Sequence, residues 1–378
     1  MTRKSAEKPH ILFLFSDTGG GHRSAAQAII EALEVYHPGR VTTEMLDFFI
    51  EYAPPPFDMA VTGYAPMAQV PDLWELGYKL SNGKWRSKLV QDVLWPYIRK
   101  AAERLLREHP CDLFLSVHPI INTPILRALG EDHDPYIIVI TDLVTTHAFW
   151  YNPNATLTLT PTVNARQRGI EIGLDPRKID VVGQPIADKF RRQTASKAEL
   201  REKLGWPQDK PVILMVGGGE GMGPVEETLL AIDQVQLDLM MAVIAGKNDA
   251  LRNNLESVGL KTPTKIYGFV ENMPDLMNAA DILLTKAGPG TISEAFIAGL
   301  PIVLYSKMPG QEDGNVDYVV NQGAGVWAPD PEDVGAILRY WLNNPEILQE
   351  VAATSKSLAR PDASKDIAQR IIDAVYPE

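Results

Sequence analysis

A strand-like run that leads into a glycine-rich turn and then into a helix-like segment occurs once in each half of this 378-residue chain. In the first half, the apolar run 11–16 precedes Asp17-Thr18-Gly19-Gly20-Gly21-His22. In the second half, the run 212–216 precedes Gly217-Gly218-Gly219-Glu220-Gly221-Met222-Gly223. Strand, turn and helix form the repeating unit of a parallel sheet. The chain is therefore expected to be an α/β protein whose two halves are built alike.

Further strand-like runs alternate with helix-like segments along the whole chain, and they predict one Rossmann-like domain in each half. The predicted strands are 10–16, 112–117, 136–141 and 155–160 in the first half, and 211–216, 239–245, 265–269, 281–285 and 301–305 in the second. A polar, charged stretch follows Phe190 and marks the boundary between the domains. The expected division is 1–190 and 191–355, with 356–378 as a final helix that packs back on the first domain.

The glycine-rich turns predict phosphate binding, because glycine lets the backbone approach a ligand and a helix N-terminus favours negative charge. Neither turn has the dinucleotide spacing G-x-G-x-x-G or the P-loop spacing. A third candidate is the stretch 285–291, which lies between a predicted strand and the predicted helix 292–298. There Glu294, one turn into the helix, is placed to accept hydrogen bonds from sugar hydroxyls. The alternative is that these turns only join strands to helices.

The net charge of −12 argues against general binding to nucleic acid or to anionic membranes. The charge is unevenly spread, since residues 1–190 have a net charge of −3 and the remainder −9. Within the first half, residues 79–107 have a net charge of +6 and include Trp85 and Trp95. Basic residues interleaved with tryptophan suit a surface that meets anionic lipid headgroups. The alternative is a solvated helix face.

A single cysteine, Cys111, and a polar start without a long apolar run predict a reducing compartment and no signal peptide or membrane-spanning segment. The one D-x-D string, Asp132-His133-Asp134, precedes its strand and is interpreted as loop polarity rather than as a metal site.

Five strings in the chain closely resemble the monogalactosyldiacylglycerol synthases, which are related to the processive diacylglycerol glucosyltransferases. They are 16–22, 116–119, 217–224, 285–291 and 309–312. The resemblance extends from about residue 10 to about residue 355 in the expected order. It implies the GT-B fold, in which two Rossmann-like domains with parallel sheets face each other across a cleft. The second domain would bind the UDP-sugar, and the first would bind the acceptor.

The implied activity is an inverting transfer of a hexose, with galactose favoured over glucose, from a UDP-sugar to the free hydroxyl of diacylglycerol. No cofactor is implied, and no metal at the diphosphate. The implied partners are the UDP-sugar, diacylglycerol and an anionic membrane surface, with no nucleic acid and no assignment of oligomeric state. The expected location is the cytoplasmic face of a membrane. A UDP-glucose or UDP-N-acetylglucosamine transferase, an epimerase of the same fold and a UDP-sugar-binding protein without turnover are the alternatives.

Inverting transfer needs a base for the acceptor hydroxyl, and His22 is the first candidate because it follows the glycine turn. Asp142 and His118 either orient His22 or act as the base in its place. The resemblance implies a larger set of UDP-sugar ligands: Gly20, Gly21, Arg192, Gly217, Gly218, Gly219, Phe269, Val270, Lys286, Gly288, Pro289, Gly290, Thr291, Glu294, Gly310, Gln311, Glu312 and Asn315. The expected acceptor and lipid contacts are Trp74, Trp85, His147 and Trp150, with Phe57, Tyr64 and Met67 in the irregular loop 54–75.

Overall fold

A computed structural model describes residues 8–17, 20–55, 58, 71–192, 195–219, 221 and 223–377. Its strands are β1 His10–Phe15, β2 Thr42–Asp47, β3 Leu113–Ser116, β4 Tyr136–Val139, β5 Leu157–Thr160, β6 Ile179–Val181, β7 Val212–Val216, β8 Met240–Ile244, β9 Thr264–Tyr267, β10 Ile282–Lys286, β11 Ile302–Ser306 and β12 Gly325–Trp327. Its helices are α1 Gly21–Tyr36, α2 Phe48–Glu51, α3 Pro71–Ser81, α4 Lys84–Glu108, α5 Asn122–Leu129, α6 Val163–Ile172, α7 Asp188–Arg191, α8 Lys197–Leu204, α9 Val225–Val235, α10 Asp249–Ser257, α11 Met273–Ala279, α12 Pro289–Ala298, α13 Asp313–Asn321, α14 Pro331–Asn343, α15 Pro345–Ser357 and α16 Ala363–Val375.

The chain forms two compact units. The first comprises Met1–Asp188, Pro309–Gln311 and Asp362–Glu378, and the second comprises Lys189–Met308 and Glu312–Pro361. The first boundary lies two residues before the expected position at 190. The helix that belongs to the first unit begins at Ala363, whereas the sequence placed its start at 356.

The first unit contains a parallel sheet in the order β2-β1-β3-β4-β5-β6. Successive side chains of β1 point to opposite faces, so that Leu12 and Leu14 pack on one side and Ile11 and Phe13 on the other. Both faces are covered by helices, which is why the central strands are apolar throughout. The strand order reverses between β1 and β3, and in open α/β sheets ligands bind beside the carboxyl ends of strands at such a switch point.

The helix α16 completes one face of this sheet. Its apolar residues Ile367 and Ile371 are fully buried in the same cluster as Ile29 and Ala32 of α1. The last helix of the chain therefore supports α1, the helix that begins at the glycine turn.

The second unit contains a parallel sheet in the order β12-β11-β10-β7-β8-β9. Its switch point lies between β7 and β10, because β8 and β11 continue in opposite directions from these two strands. The glycine turn 217–219 follows β7, and Gly288 follows β10. The two predicted phosphate-binding turns thus flank the switch point of this sheet.

The predicted α/β class and all nine predicted strands are confirmed. Three strands, β2, β6 and β12, were missed. Each lies at the edge of its sheet and is partly exposed, so it lacks the continuous apolar run of a central strand. Among the described residues, no helix is both long enough and apolar enough to cross a membrane.

Candidate active site

The carboxyl ends of β1, β3 and β4 bring two sequence-predicted residues of the first unit, His22 and His118, close to each other and to Thr141. His22 is the second residue of α1, and its ring centroid lies 4.7 Å from that of His118, which follows β3. Thr141, which follows β4, places its Oγ1 3.0 Å from His22 Nδ1. The Thr141 backbone is itself fixed, since its carbonyl accepts a hydrogen bond from Gln184 Nε2 at 3.0 Å. His22 and His118 thus meet at the switch point of the sheet.

Burial keeps both imidazoles neutral. It lowers the pKa of His22 to about 4, although a hydrogen bond from the ring to the Val117 backbone opposes this shift. Burial also lowers the pKa of His118 well below its usual value, and the neighbouring His22 lowers it further. A neutral imidazole that donates its single N–H keeps its other nitrogen as an acceptor. His22 can therefore take a proton from a hydroxyl group near neutral pH.

Asp142, the third candidate for the base, is buried and oriented by Trp150. The indole Nε1 donates to Asp142 Oδ2 at 2.6 Å. Gln311, in the segment that belongs to the first unit, donates from Nε2 to Asp142 Oδ1 at 3.2 Å. Donors on both carboxylate oxygens fix the orientation of the Asp142 side chain. Its assignment as a base stays a prediction.

Asp17, at the start of the first glycine turn, is held by charged and backbone contacts that sequence reasoning missed. Arg23 donates from Nε to Asp17 Oδ1 at 2.6 Å and from an Nη atom to Oδ2 at 2.5 Å. Asp47, at the end of the missed strand β2, accepts a hydrogen bond from the Asp17 backbone at 2.9 Å. The Arg23 guanidinium also lies 4.5 Å from the ring centroid of Phe15. An acid and an arginine that flank a glycine turn are a usable sequence signal, whereas the role of Asp47 depends on a strand that was not predicted.

In the second unit, Lys286 reaches the glycine turn that follows β7. A Cβ atom placed on Gly218 would lie 3.4 Å from Lys286 Cε, which puts the lysine stem against this turn. Lys286 Nζ lies 2.6 Å from Glu312 Oε1, and Glu312 Oε2 accepts a hydrogen bond from the Met308 backbone at 2.7 Å. The Glu312 side chain is only 5% exposed, so this is an ion pair largely shielded from water.

The helix α12 presents the backbone donors expected for a phosphate. It begins at Pro289, and the N–H groups of its first turn have no partner within the helix. Asn315 donates from Nδ2 to the Ala287 carbonyl at 2.9 Å and fixes the turn before the helix. Burial raises the pKa of Glu294 to about 8, with the Lys189 charge opposing the shift. A protonated Glu294 would place no negative charge beside a phosphate.

The remaining residues predicted to bind the UDP-sugar differ in their exposure to solvent. Phe269, two residues after β9, is 64% exposed, with Lys247 Nζ 6.0 Å from its ring centroid, so it is not a core aromatic residue. Val270 is partly buried, and Arg192 is exposed. Gly310 belongs to the first unit, where a Cβ atom would lie 3.2 Å from the Tyr78 ring. Their contacts with a UDP-sugar stay predictions.

Two predicted lipid ligands have internal partners. Trp150 is fully buried against Asp142, and His147 is also buried. His147 Nδ1 accepts a hydrogen bond from the Phe149 backbone, and Nε2 lies 3.1 Å from Ser81 Oγ. Burial lowers the pKa of His147 to about 4. Both side chains therefore have partners within the first unit, and a direct lipid contact by either would require it to become exposed.

The other lipid candidates differ from one another. Trp85 is 80% exposed, and Trp74 is partly buried. Phe57, Tyr64 and Met67 lie outside the described residues.

Comparison with known proteins places the chain in a family. Residues 22–186 match the family model of monogalactosyldiacylglycerol synthase, and residues 196–357 match that of glycosyl transferases group 1. A probable monogalactosyldiacylglycerol synthase 2 from Oryza sativa subsp. indica is 36% identical over 98% of this chain and 81% of its own. The chain belongs to the monogalactosyldiacylglycerol synthase family. Monogalactosyldiacylglycerol synthase 2 from Arabidopsis thaliana is 35% identical over 96% of this chain and 80% of its own.

A solved structure confirms the predicted GT-B fold. The Anabaena protein HepE in complex with UDP-glucose has a TM-score of 0.57 and 16% identity, and the match covers 97% of this chain and all of that one.

The relatives also correct one prediction, that of the protein's location. They are described as chloroplastic, which contradicts a location on the cytoplasmic face of a membrane. That prediction is wrong because a lone cysteine and a polar start do not distinguish one reducing compartment from another.

Proposed function

We propose that this hexosyltransferase moves galactose from UDP-galactose to the free hydroxyl of 1,2-diacylglycerol and inverts the anomeric carbon. The observation that supports it most strongly is the neutral His22 at the switch point of the first unit, in a chain whose relatives are monogalactosyldiacylglycerol synthases. An inverting transfer needs a base on the acceptor side and stabilisation of the departing nucleotide, with no covalent intermediate. The two units supply these two requirements separately.

The first unit supplies the base. We assign proton removal from the acceptor hydroxyl to the acceptor nitrogen of His22, with Thr141 and the Val117 backbone fixing the ring. His118 packs against this ring and, because it stays neutral, adds no positive charge of its own beside His22. Asp142, which Trp150 holds in place, orients the side-chain amide of Gln311.

The second unit binds the donor. The amides of Gly290 and Thr291 in the first turn of α12 would donate hydrogen bonds to the diphosphate, and Lys286 would neutralise charge on the departing UDP. As the family resemblance implies, Glu294 faces the ribose, and Phe269 and Val270 flank the uracil. Gln311, which the resemblance assigns to the hexose, belongs to the first unit. Glu312 holds Lys286 in the structure, so we assign it the positioning of that cation in addition to the predicted hexose contact.

The acceptor has two acyl chains, so the reaction takes place where a lipid surface is within reach of the first unit. We propose that this surface is anionic, because residues 79–107 have a net charge of +6.

Label from UDP-galactose should appear in the lipid fraction when the protein is incubated with diacylglycerol vesicles. We expect a monoglycosyl product with the β configuration by NMR, since inversion of the α-linked donor gives the β anomer. Parallel incubations with UDP-glucose and UDP-N-acetylglucosamine identify the donor. Transfer from UDP-glucose and from no other donor would show that the donor is UDP-glucose rather than UDP-galactose. An epimerised nucleotide sugar, or no labelled lipid from any donor, would overturn the proposal.

We also propose that transfer needs no metal ion, because the cation and amides of the second unit can neutralise the diphosphate. Initial rates in excess EDTA should therefore stay within about two-fold of those without chelator, since Lys286 and the α12 amides are not removed by it. A strictly metal-dependent transferase treated in parallel controls for effective chelation. Loss of activity in EDTA and recovery with Mg²⁺ or Mn²⁺ would contradict this proposal.

A further inference from the structure

The helix α4 exposes a continuous stripe of apolar side chains. Fifteen large hydrophobic side chains are exposed among the described residues, and seven of them lie on α3 and α4. On α4 they are Trp85, Leu89, Val93 and Tyr97, with exposed fractions of 80%, 66%, 59% and 69%. Their spacing of four residues places them on one side of the helix. Scattered exposed hydrophobic residues need no explanation, but four in a row on one helix face do.

Basic side chains continue the same face after Tyr97. Lys100, Arg104 and Arg107 follow at helical spacing, and all three are exposed. At about 100° per residue, these three and the four apolar residues lie within an arc of about 120°. The acid at the edge of this arc, Glu103, is paired with Arg99. We call this face the α4 stripe, defined by Trp85, Leu89, Val93, Tyr97, Lys100, Arg104 and Arg107.

The opposite face of α4 is fixed to the protein. Ile98, Ala102 and Leu105 are almost completely buried in the core of the first unit. Burial of this face sets the rotation of the helix and keeps the α4 stripe pointing outward. The stripe is therefore a rigid surface, about 18 Å long in its apolar part and about 10 Å long in its basic part at 1.5 Å per residue.

We propose that the α4 stripe docks the first unit on an anionic lipid bilayer, with its apolar part inserted at the interface and its basic part against the headgroups. The inference rests on the proposed lipid acceptor and identifies the surface that reaches it. Two observations favour a bilayer over a second copy of the chain. Aromatic residues stand at both ends of the apolar part, as at membrane interfaces, and the basic part is complementary to anionic lipid rather than to an apolar protein face.

Vesicle binding tests the apolar part without any need for catalysis. We compare wild type with Leu89→Gln/Val93→Gln in flotation with phosphatidylcholine vesicles that contain phosphatidylglycerol. The double variant should partition about 30-fold less, because it removes two inserted side chains. The matched control Val163→Gln/Tyr340→Gln alters two exposed hydrophobic residues elsewhere, of 66% and 54% exposure, and should stay within about two-fold of wild type. Equal binding by the two variants would overturn the proposal, as would absence of binding by wild type.

Two further measurements test the basic part and the orientation. Lys100→Gln/Arg107→Gln should reduce binding about ten-fold on vesicles with phosphatidylglycerol and leave the weaker binding to phosphatidylcholine unchanged. Brominated lipid should quench part of the emission of the seven tryptophans, and Trp85→Phe should abolish most of that quenching. Quenching that persists in Trp85→Phe would place another surface at the bilayer.

The controls separate this inference from the proposed function. On a short-chain diacylglycerol dispersed in solution, Leu89→Gln/Val93→Gln should turn over at the wild-type rate, and on vesicles it should be slower. A wild type that binds vesicles through the stripe but transfers no sugar would refute the function and leave the docking surface standing. A change in oligomeric mass or a lower thermal midpoint in this variant, without lipid, would assign the stripe to a protein contact and overturn the proposal.

Discussion

Replacement of His22 by alanine should reduce turnover by about 10²–10⁴-fold and leave UDP affinity within about two-fold of wild type, because the variant loses the base but keeps the second unit intact. The loss is expected in kcat, measured with diacylglycerol and the preferred donor, and the affinity by calorimetric titration with UDP. His22→Gln is the matched variant, since it can still hydrogen-bond but cannot accept the proton near neutral pH.

The pH dependence of the same reaction gives a second readout of His22. Because burial lowers its pKa to about 4, the acid limb of kcat/KM should fall near pH 4 rather than near 6.5. Folding stability should also fall as the pH drops from 6.5 towards 4, because unfolded histidine binds a proton that buried His22 does not. Circular dichroism at each pH therefore has to accompany the rates. An acid limb near 6.5, or an alanine variant with wild-type turnover, would move the role of the base to Asp142 or His118.

Lys286→Met should impair both the fold and the reaction of the second unit. It leaves the Glu312 carboxylate, which is only 5% exposed, without its cation, and this should lower the free energy of unfolding by about 3 kcal/mol. It also removes the charge proposed to stabilise departing UDP, which should lower kcat/KM by about 10²–10³-fold. Urea titration and initial rates measure the two effects.

A neighbouring pair provides the control for this substitution. Lys307 lies 2.8 Å from Asp313, but both side chains are more exposed, at 33% and 40%, so Lys307→Met should cost at most about 1 kcal/mol. The double variant Lys286→Met/Glu312→Gln should recover most of the lost stability and none of the lost rate. Equal unfolding free energies for the two lysine variants would show that the Lys286 pair contributes no more than a surface ion pair.

The sequence predicts the central strands and the glycine turns because their signals are local. A buried parallel strand is a continuous apolar run, and a turn that must approach a ligand contains glycine. The sequence predicted that His118 or Asp142 acts beside His22, but it could not say which of the two packs against the His22 ring. The contact between His22 and His118 arises because β1 and β3 are adjacent in the sheet, and the strand between them in sequence, β2, is an edge strand that was missed.

The side-chain partners could not be predicted because they join residues that are distant in sequence. Thr141 contacts His22 across 119 residues, and Lys286 pairs with Glu312 across 26. The positioning role of Trp150 is of the same kind, since the aromatic character of that segment fits a lipid contact equally well until burial is known. Exposure separates Trp85 from Trp150, and only the fold determines exposure.

The return of α16 to the first unit affects how the protein is made. Ile367 and Ile371 fill the space beside Ile29 of α1, and the whole second unit is translated between these segments. While a ribosome is still adding the second unit, the first lacks one of the helices that cover this face of its sheet. Its apolar face is then open to solvent and to chaperones. The helix that positions His22 consequently reaches its final packing only after residues 363–375 have been synthesised.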